Sequence, residues 1–95
     1  MITQQDVFDY LGIDYADDII KRNVDRIIKT TDSFLTGSLG KGYPEDDPRV
    51  KELALMVAGD LYDNRGMSDK VSANMRRLVE DFSLQLRLEM RDSNV

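Results

Sequence analysis

Apolar positions recur along this chain at helical spacing in four separate stretches. The first is short: Thr3 reads as an N-cap ahead of "QQDVFDYL", with Asp6 at the third helical position, where a carboxylate suits the helix dipole. Val7, Tyr10 and Leu11 share one face, Phe8 lies off it, and Gly12 predicts the end. The second stretch starts at Asp17 or Asp18 and runs to about Leu35. Its apolar stripe is Ile20, Val24, Ile27, Ile28, Thr31, Phe34 and Leu35. Lys21, Arg22, Asp25, Arg26, Lys29 and Asp32 fill the rest of the circumference, the pattern of a surface helix with one buried face.

The third stretch is "DDPRVKELALMVAGDLYDNR". Asp47 is placed to cap it, Pro48 to be its first residue, and acids crowd the expected first turn. Val50, Leu53, Ala54, Val57 and Leu61 form the main stripe, while Leu55, Met56 and Tyr62 point elsewhere. A helix apolar on most sides is expected at the centre of a bundle. Gly59 inside it costs about 1 kcal/mol against Ala, which a close helix crossing would offset. "DNRG" predicts the end, with Gly66 as the C-terminal residue, and the polar "MSDKVS" follows. Ser72 then caps a last helix from about Ala73 to about Met90, with Met75, Leu78, Val79, Phe82, Leu86 and Met90 on its core stripe. Leu84 and Leu88 fall on the opposite side, and "RDSNV" reads as a disordered tail.

Together these stretches predict an all-α fold: one domain over residues 1–90 and a tail over 91–95. It is a small bundle of one short N-terminal helix and three longer ones, with no strand alternation and no internal repeat. The connections come out at roughly 5, 12 and 6–8 residues. The long one, residues 37–46, reads as a flexible Gly-rich loop at the edge of what a compact domain uses without a functional reason.

Composition narrows the chemistry. Apolar residues make up 41% of the chain and charged residues 33%, enough for one modest core with a covered surface. Cysteine and histidine are both absent, which removes disulfides, thiolate metal sites and the commonest general base. Catalysis is therefore not expected, and no cofactor or metal is. The formal net charge is −5, unsuited to a partner held by phosphate contacts. No apolar run reaches the roughly 20 residues that cross a bilayer. The opening has no basic segment before an apolar one, so it is not read as a secretory signal.

Three chemical readings fail on residue type. A Walker loop using Gly40 and Lys41 needs Gly at 35 and a hydroxyl at 42, where Leu35 and Gly42 stand. A calcium loop starting at Asp14 needs an oxygen ligand and a glycine where Ala16 and Ile19 occur, so Asp14, Asp17 and Asp18 read as helix-start acids. A helix-turn-helix reader would use Arg76, Arg77, Arg87 and Arg91, but Glu80, Asp81 and Glu89 interleave with them. Leu84 and Leu88 are the more informative anomaly. They mark either a fold contact, for example with Phe8 of the first helix, or a subunit interface with an apolar centre and charged rim.

The opening "MITQQDVFDYLGID", the mid-chain "DDPRVKELALMVAGDLYDNRG" and the closing amphipathic helix together resemble the small head–tail connector (adaptor) proteins of long-tailed bacteriophages. The resemblance covers about residues 1–90. It is sharpest at Asp47, Pro48 and Arg49 with the following Val-Lys, and at Tyr62, Asn64 and Arg65. It departs from the family's pattern in "SDKVSANM", which is polar and has neither Pro nor Gly. What the resemblance implies is a helical structural protein that is not an enzyme. It would assemble as a ring beneath the portal, extend the DNA channel and carry the stopper or tail-completion protein.

On that reading the partners are portal protein, other copies of the chain and the stopper, with no membrane. DNA would pass nearby without specific binding, and the location is the virion, after synthesis in the host cytoplasm. Leu84 and Leu88 are the expected subunit or partner contact. Gly37, Leu39, Lys41 and Tyr43 belong to the expected docking loop, with the tail after Met90 as a second docking segment. Tyr62 and Arg65 are expected to fix the end of the third helix. The alternatives are a helical protein-binding regulatory or scaffold module and, behind it, a DNA-binding regulator. An electrophoretic shift assay at low salt separates the last: the charge predicts no retention of duplex DNA.

Overall fold

The computed structural model describes residues 2–64 and 71–93, with side chains through residue 89. Among these residues there are four helices and no strand: α1 Gln4–Leu11, α2 Asp18–Leu39, α3 Pro48–Asp63 and α4 Ala73–Ser93. Thr3 caps α1 in a capping box. Its hydroxyl accepts from the Asp6 N–H at 3.1 Å, and the Asp6 carboxylate accepts from the Thr3 N–H at 2.9 Å. Asp17 caps α2 through the Ile20 N–H at 2.9 Å, so at least one of the acids of that segment is a helix-start acid. Asp47 caps α3 with Pro48 next, as the spacing predicts.

Three helix ends and the composition of one first turn differ from those expectations. α2 continues past Leu35 to Leu39, so Gly37 and Leu39 are helical rather than part of the loop. Leu39 packs on the core, and the Gly40 N–H closes the last turn on the Thr36 carbonyl at 3.0 Å. The α2–α3 connection is therefore residues 40–47, shorter than the sequence suggested. In α3 the first turn carries Arg49 and no acid, because Glu45, Asp46 and Asp47 all precede the helix. The helix ends at Asp63 with Asn64 as cap; Arg65 and Gly66 lie outside the described residues. α4 runs through Ser93, since "RDS" has no residue that breaks a helix and elongation is cheap once nucleated.

α2 and α3 form the central pair, and α1 and α4 each pack across both. Among the described residues α1 and α4 do not touch each other. The core takes Val24, Ile27, Ile28, Thr31 and Leu35 of α2 and the whole expected stripe of α3, Val50, Leu53, Ala54, Val57 and Leu61, with Ala58 added to it. Two buried residues carry no periodic signal, Ile2 ahead of α1 and Val71 in the connector read as polar. Leu55 and Tyr62, off the main stripe of α3, also pack on this core.

Gly59 sits at the crossing of α1 over α3. A Cβ there would lie 3.2 Å from Tyr10 Cε1 and 3.7 Å from Leu11 Cδ2. The missing side chain lets α1 approach, so the propensity cost of glycine is offset by packing. Gly59→Ala is expected to be close to neutral, because the Tyr10 ring is half-exposed and can yield while the helix gains about 1 kcal/mol of propensity. Gly59→Leu has no such outlet and should destabilise by about 1–3 kcal/mol in urea unfolding.

Candidate functional site

α4 buries few of its described side chains and has the most unusual pattern. Val79, Ser83 and Leu86 face the body of the protein, with Met75 and Phe82 half-buried beside them. Three polar ties hold it. At its start the Asp60 carboxylate accepts from the Ser72 N–H at 2.8 Å, and the Ser72 hydroxyl accepts from the Met75 N–H at 3.3 Å. Midway, the Ser83 hydroxyl donates to the Ser38 carbonyl of α2 at 2.9 Å. Near its far end, Arg49 of α3 reaches Glu89.

Arg49 is the most connected side chain of this face. Its Nη1 and Nη2 donate to the two carboxylate oxygens of Glu89, both at 2.7 Å, in the bidentate geometry that a guanidinium fork favours. Nη2 and Nε also donate to Asp47 at 3.0 and 3.3 Å. The guanidinium lies over the Phe82 ring, 5.8 Å from its centroid. The hydrogen bonds to Glu89 and Asp47 push the guanidinium further above its ordinary range. The bond from Arg49 holds the Glu89 carboxyl below its ordinary range and does the same for Asp47. Asp47-Pro48-Arg49 is thus a helix start that also clamps α4.

Leu84 and Leu88 are 60% and 51% exposed, one helical turn apart. The fold-contact reading is corrected here: α1 does not reach α4, and Phe8 packs half-buried on the core instead. About 120° away around α4, Leu78 and Phe82 border a second apolar surface. It is a shallow groove between α3 and α4, lined also by Pro48, Leu53 and Met56, with Arg49 and Glu52 at its edge. Leu78 was expected in the core; it is 41% exposed because the groove leaves its outer side open. Met90, also placed on that stripe, has its side chain outside the described residues.

The residues expected in a docking loop are divided by the fold. Gly37 joins Leu84, Glu80 and Arg87 around a shallow depression where α2 meets α4. A Cβ on Gly37 would meet no atom within 4 Å, so nothing inside the chain requires glycine there. Leu39 and Tyr43 turn inward onto the core, and the Tyr43 hydroxyl donates to Asp32 at 2.7 Å. Lys41 is exposed at the turn. Arg65, expected to fix the end of α3 with Tyr62, is outside the described residues.

Among the described residues no group of three or more His, Cys, Asp or Glu is placed to hold a metal ion. No described helix is long and apolar enough to cross a membrane. No family model, curated protein or solved structure matches the chain.

The clamp predicts a pH dependence. Because Glu89 titrates below its ordinary range when folded, its contribution is complete above that range and is lost as pH falls through the lowered value. Glu89→Gln should therefore lower the thermal midpoint at pH 7, and its difference from the parent should shrink as pH falls below the ordinary carboxylate range and vanish once Glu89 is protonated in the folded protein. Circular dichroism melts across that interval check this. Added salt at about 1 M should shrink the difference at pH 7, because both side chains are half-exposed.

Proposed function

We propose that this protein is a structural assembly subunit, a head–tail connector that joins copies of itself into a ring and binds portal protein on one side and a stopper or tail component on the other. The observation that carries the reading is the pair of apolar surfaces on α4, the Leu84–Leu88 ridge and the groove bordered by Leu78 and Phe82. They face different directions on one molecule. A ridge that meets the groove of the next copy makes a heterologous contact, and such contacts close into rings when the rotation allows.

Charge supports the same reading. Arg49 and Glu52 edge the groove, and Glu80 and Arg87 lie beside Leu84, so each apolar centre has charges of both signs at its border. A net charge of −5 would let duplex DNA slide through a ring of these subunits, since there are few cations to exchange for its counterions. The order of motifs along the sequence is what points to portal and tail partners in a virion rather than to another assembly.

Size-exclusion chromatography with light scattering tests the geometry. The mass of the wild-type protein should rise above that of the monomer with concentration or on adding portal protein. Leu84→Ser combined with Leu88→Ser should abolish this while leaving the thermal midpoint within a few degrees, as should Leu78→Ser in the groove. Mixing the ridge variant with the groove variant should restore pairs and nothing larger, because each mixture retains one intact surface of each kind. A strict monomer at every concentration, alone and with portal, overturns the reading.

A further inference from the structure

Gly37 is a glycine that nothing within the chain explains. Gly40 and Gly42 turn the backbone after α2 at positive φ, and Gly59 makes room for Tyr10. Gly37 has neither reason. It lies within α2 without a positive φ, it is exposed, and a Cβ there would meet no atom within 4 Å. Alanine would fit this position and would be the better helix residue. The chain therefore carries a helix-weakening residue whose one structural effect is to leave bare backbone on the surface.

That bare backbone borders the Leu84–Leu88 ridge. Gly37 and Ser38 of α2 line one side of a depression, and Ser83, Leu84 and Arg87 of α4 line the other. Leu84 and Leu88 belong to one i±4 row of α4, and such rows seat in the grooves between rows of another helix. The groove between α3 and α4 has the matching form. Its α3 wall is also an i±4 row, Pro48, Glu52 and Met56, and Leu78 and Phe82 stand on its α4 side. A leucine row seated in that groove brings the α3 wall down beside it. On the α2 side of the leucines such a wall meets Gly37, where α2 presents no side chain.

The charges agree with this placement. Arg87 at the depression and Glu52 on the α3 row are both exposed, and neither has an ion-pair partner among the described residues. Arg49, also at the groove, is occupied by Glu89 and Asp47. Glu80 stands two turns before Arg87, about 10 Å along α4, and so clear of an acid set against Arg87.

We propose that Gly37 is the point of closest approach of a second copy of this chain. The α3 row Pro48–Glu52–Met56 of the next copy lies over the bare backbone at Gly37, with Glu52 of that copy against Arg87. Its groove encloses Leu84 and Leu88. This rests on the assembly reading and deepens it, by fixing the register in which ridge enters groove. A second copy is the occupant because the chain itself carries both the complementary groove and the opposite unpaired charge. The device is the one seen at Gly59, where a missing side chain admits another helix. At Gly37 the arriving helix belongs to another molecule.

Sedimentation equilibrium of the full chain, read beside thermal melts, tests this register. Gly37→Ala should raise the thermal midpoint by a few degrees, since helix propensity improves and the new Cβ meets nothing. Gly37→Leu should keep the midpoint near the parent's but weaken self-association about tenfold or more, because a side chain now fills the contact. Arg87→Glu and Glu52→Arg should each weaken it about fivefold, and both together in one chain should restore it to within about twofold of the parent. A Gly37→Leu chain that associates as tightly as the parent, a charge exchange that restores nothing, or a lower midpoint for Gly37→Ala would each overturn the proposal. If Leu84→Ser with Leu88→Ser still abolishes association in those cases, the assembly reading stands without this register. A parent that stays monomeric alone even at about 1 mM also overturns the proposal, and the experiment with portal protein then decides the assembly reading separately.

Discussion

The central constraint in this molecule is that α2 and α3 must bury one another along their length before anything else has a surface to pack on. α1 and α4 each lie across that pair and have no contact with each other among the described residues. The pair accordingly supplies most of the fully buried side chains, among them Val24, Thr31, Leu35, Val50 and Val57. With α1 on one flank and α4 on another, α3 must be apolar around most of its circumference. That explains why Leu55 and Tyr62, surplus to its main stripe, are used inside the chain. It also explains Gly59: a third helix can come close only where α3 presents no side chain.

The flanking helices are attached in different ways. α1 is locked by close packing at Gly59 and by polar links to both members of the pair. The Gln4 amide donates to Asp25 at 2.6 Å, and Lys51 lies 3.5 Å from Asp6. α4 buries a narrower face and depends on ties at its two ends and its middle, through Asp60, Arg49 and the Ser38 carbonyl. Two of these come from charged side chains of α3. Since exposed ion pairs contribute little and are screened by salt, the far half of α4 is held by geometry more than by burial. A helix attached in this way keeps two apolar surfaces free for other molecules.

These surfaces and the cavity between α2, the 40–47 connection and α3 occupy different regions. The ridge and groove belong to α4 and its seam with α3, and are shallow and apolar, as contacts between subunits are. The cavity sits beside the shorter connection at residues 40–47. Tyr43 of that connection turns inward and fixes Asp32 at the cavity wall.

Sequence alone determined the helical class, the four segments, the caps at Thr3 and Asp47, and the buried stripes of α2 and α3. Those features follow from local hydrogen bonding and from periodicity, which depend only on nearby residues. It also marked Leu84 and Leu88 as anomalous, because their position on α4 is fixed by spacing. It could not say whether another helix covers them; that depended on where α1 lies, which Gly59 decides. The burial of Ile2 and Val71, the reach of Arg49 across 40 positions to Glu89, and the hydrogen bond from Tyr43 to Asp32 were likewise invisible. Each is a contact between residues distant in the chain, and only tertiary packing brings such residues together.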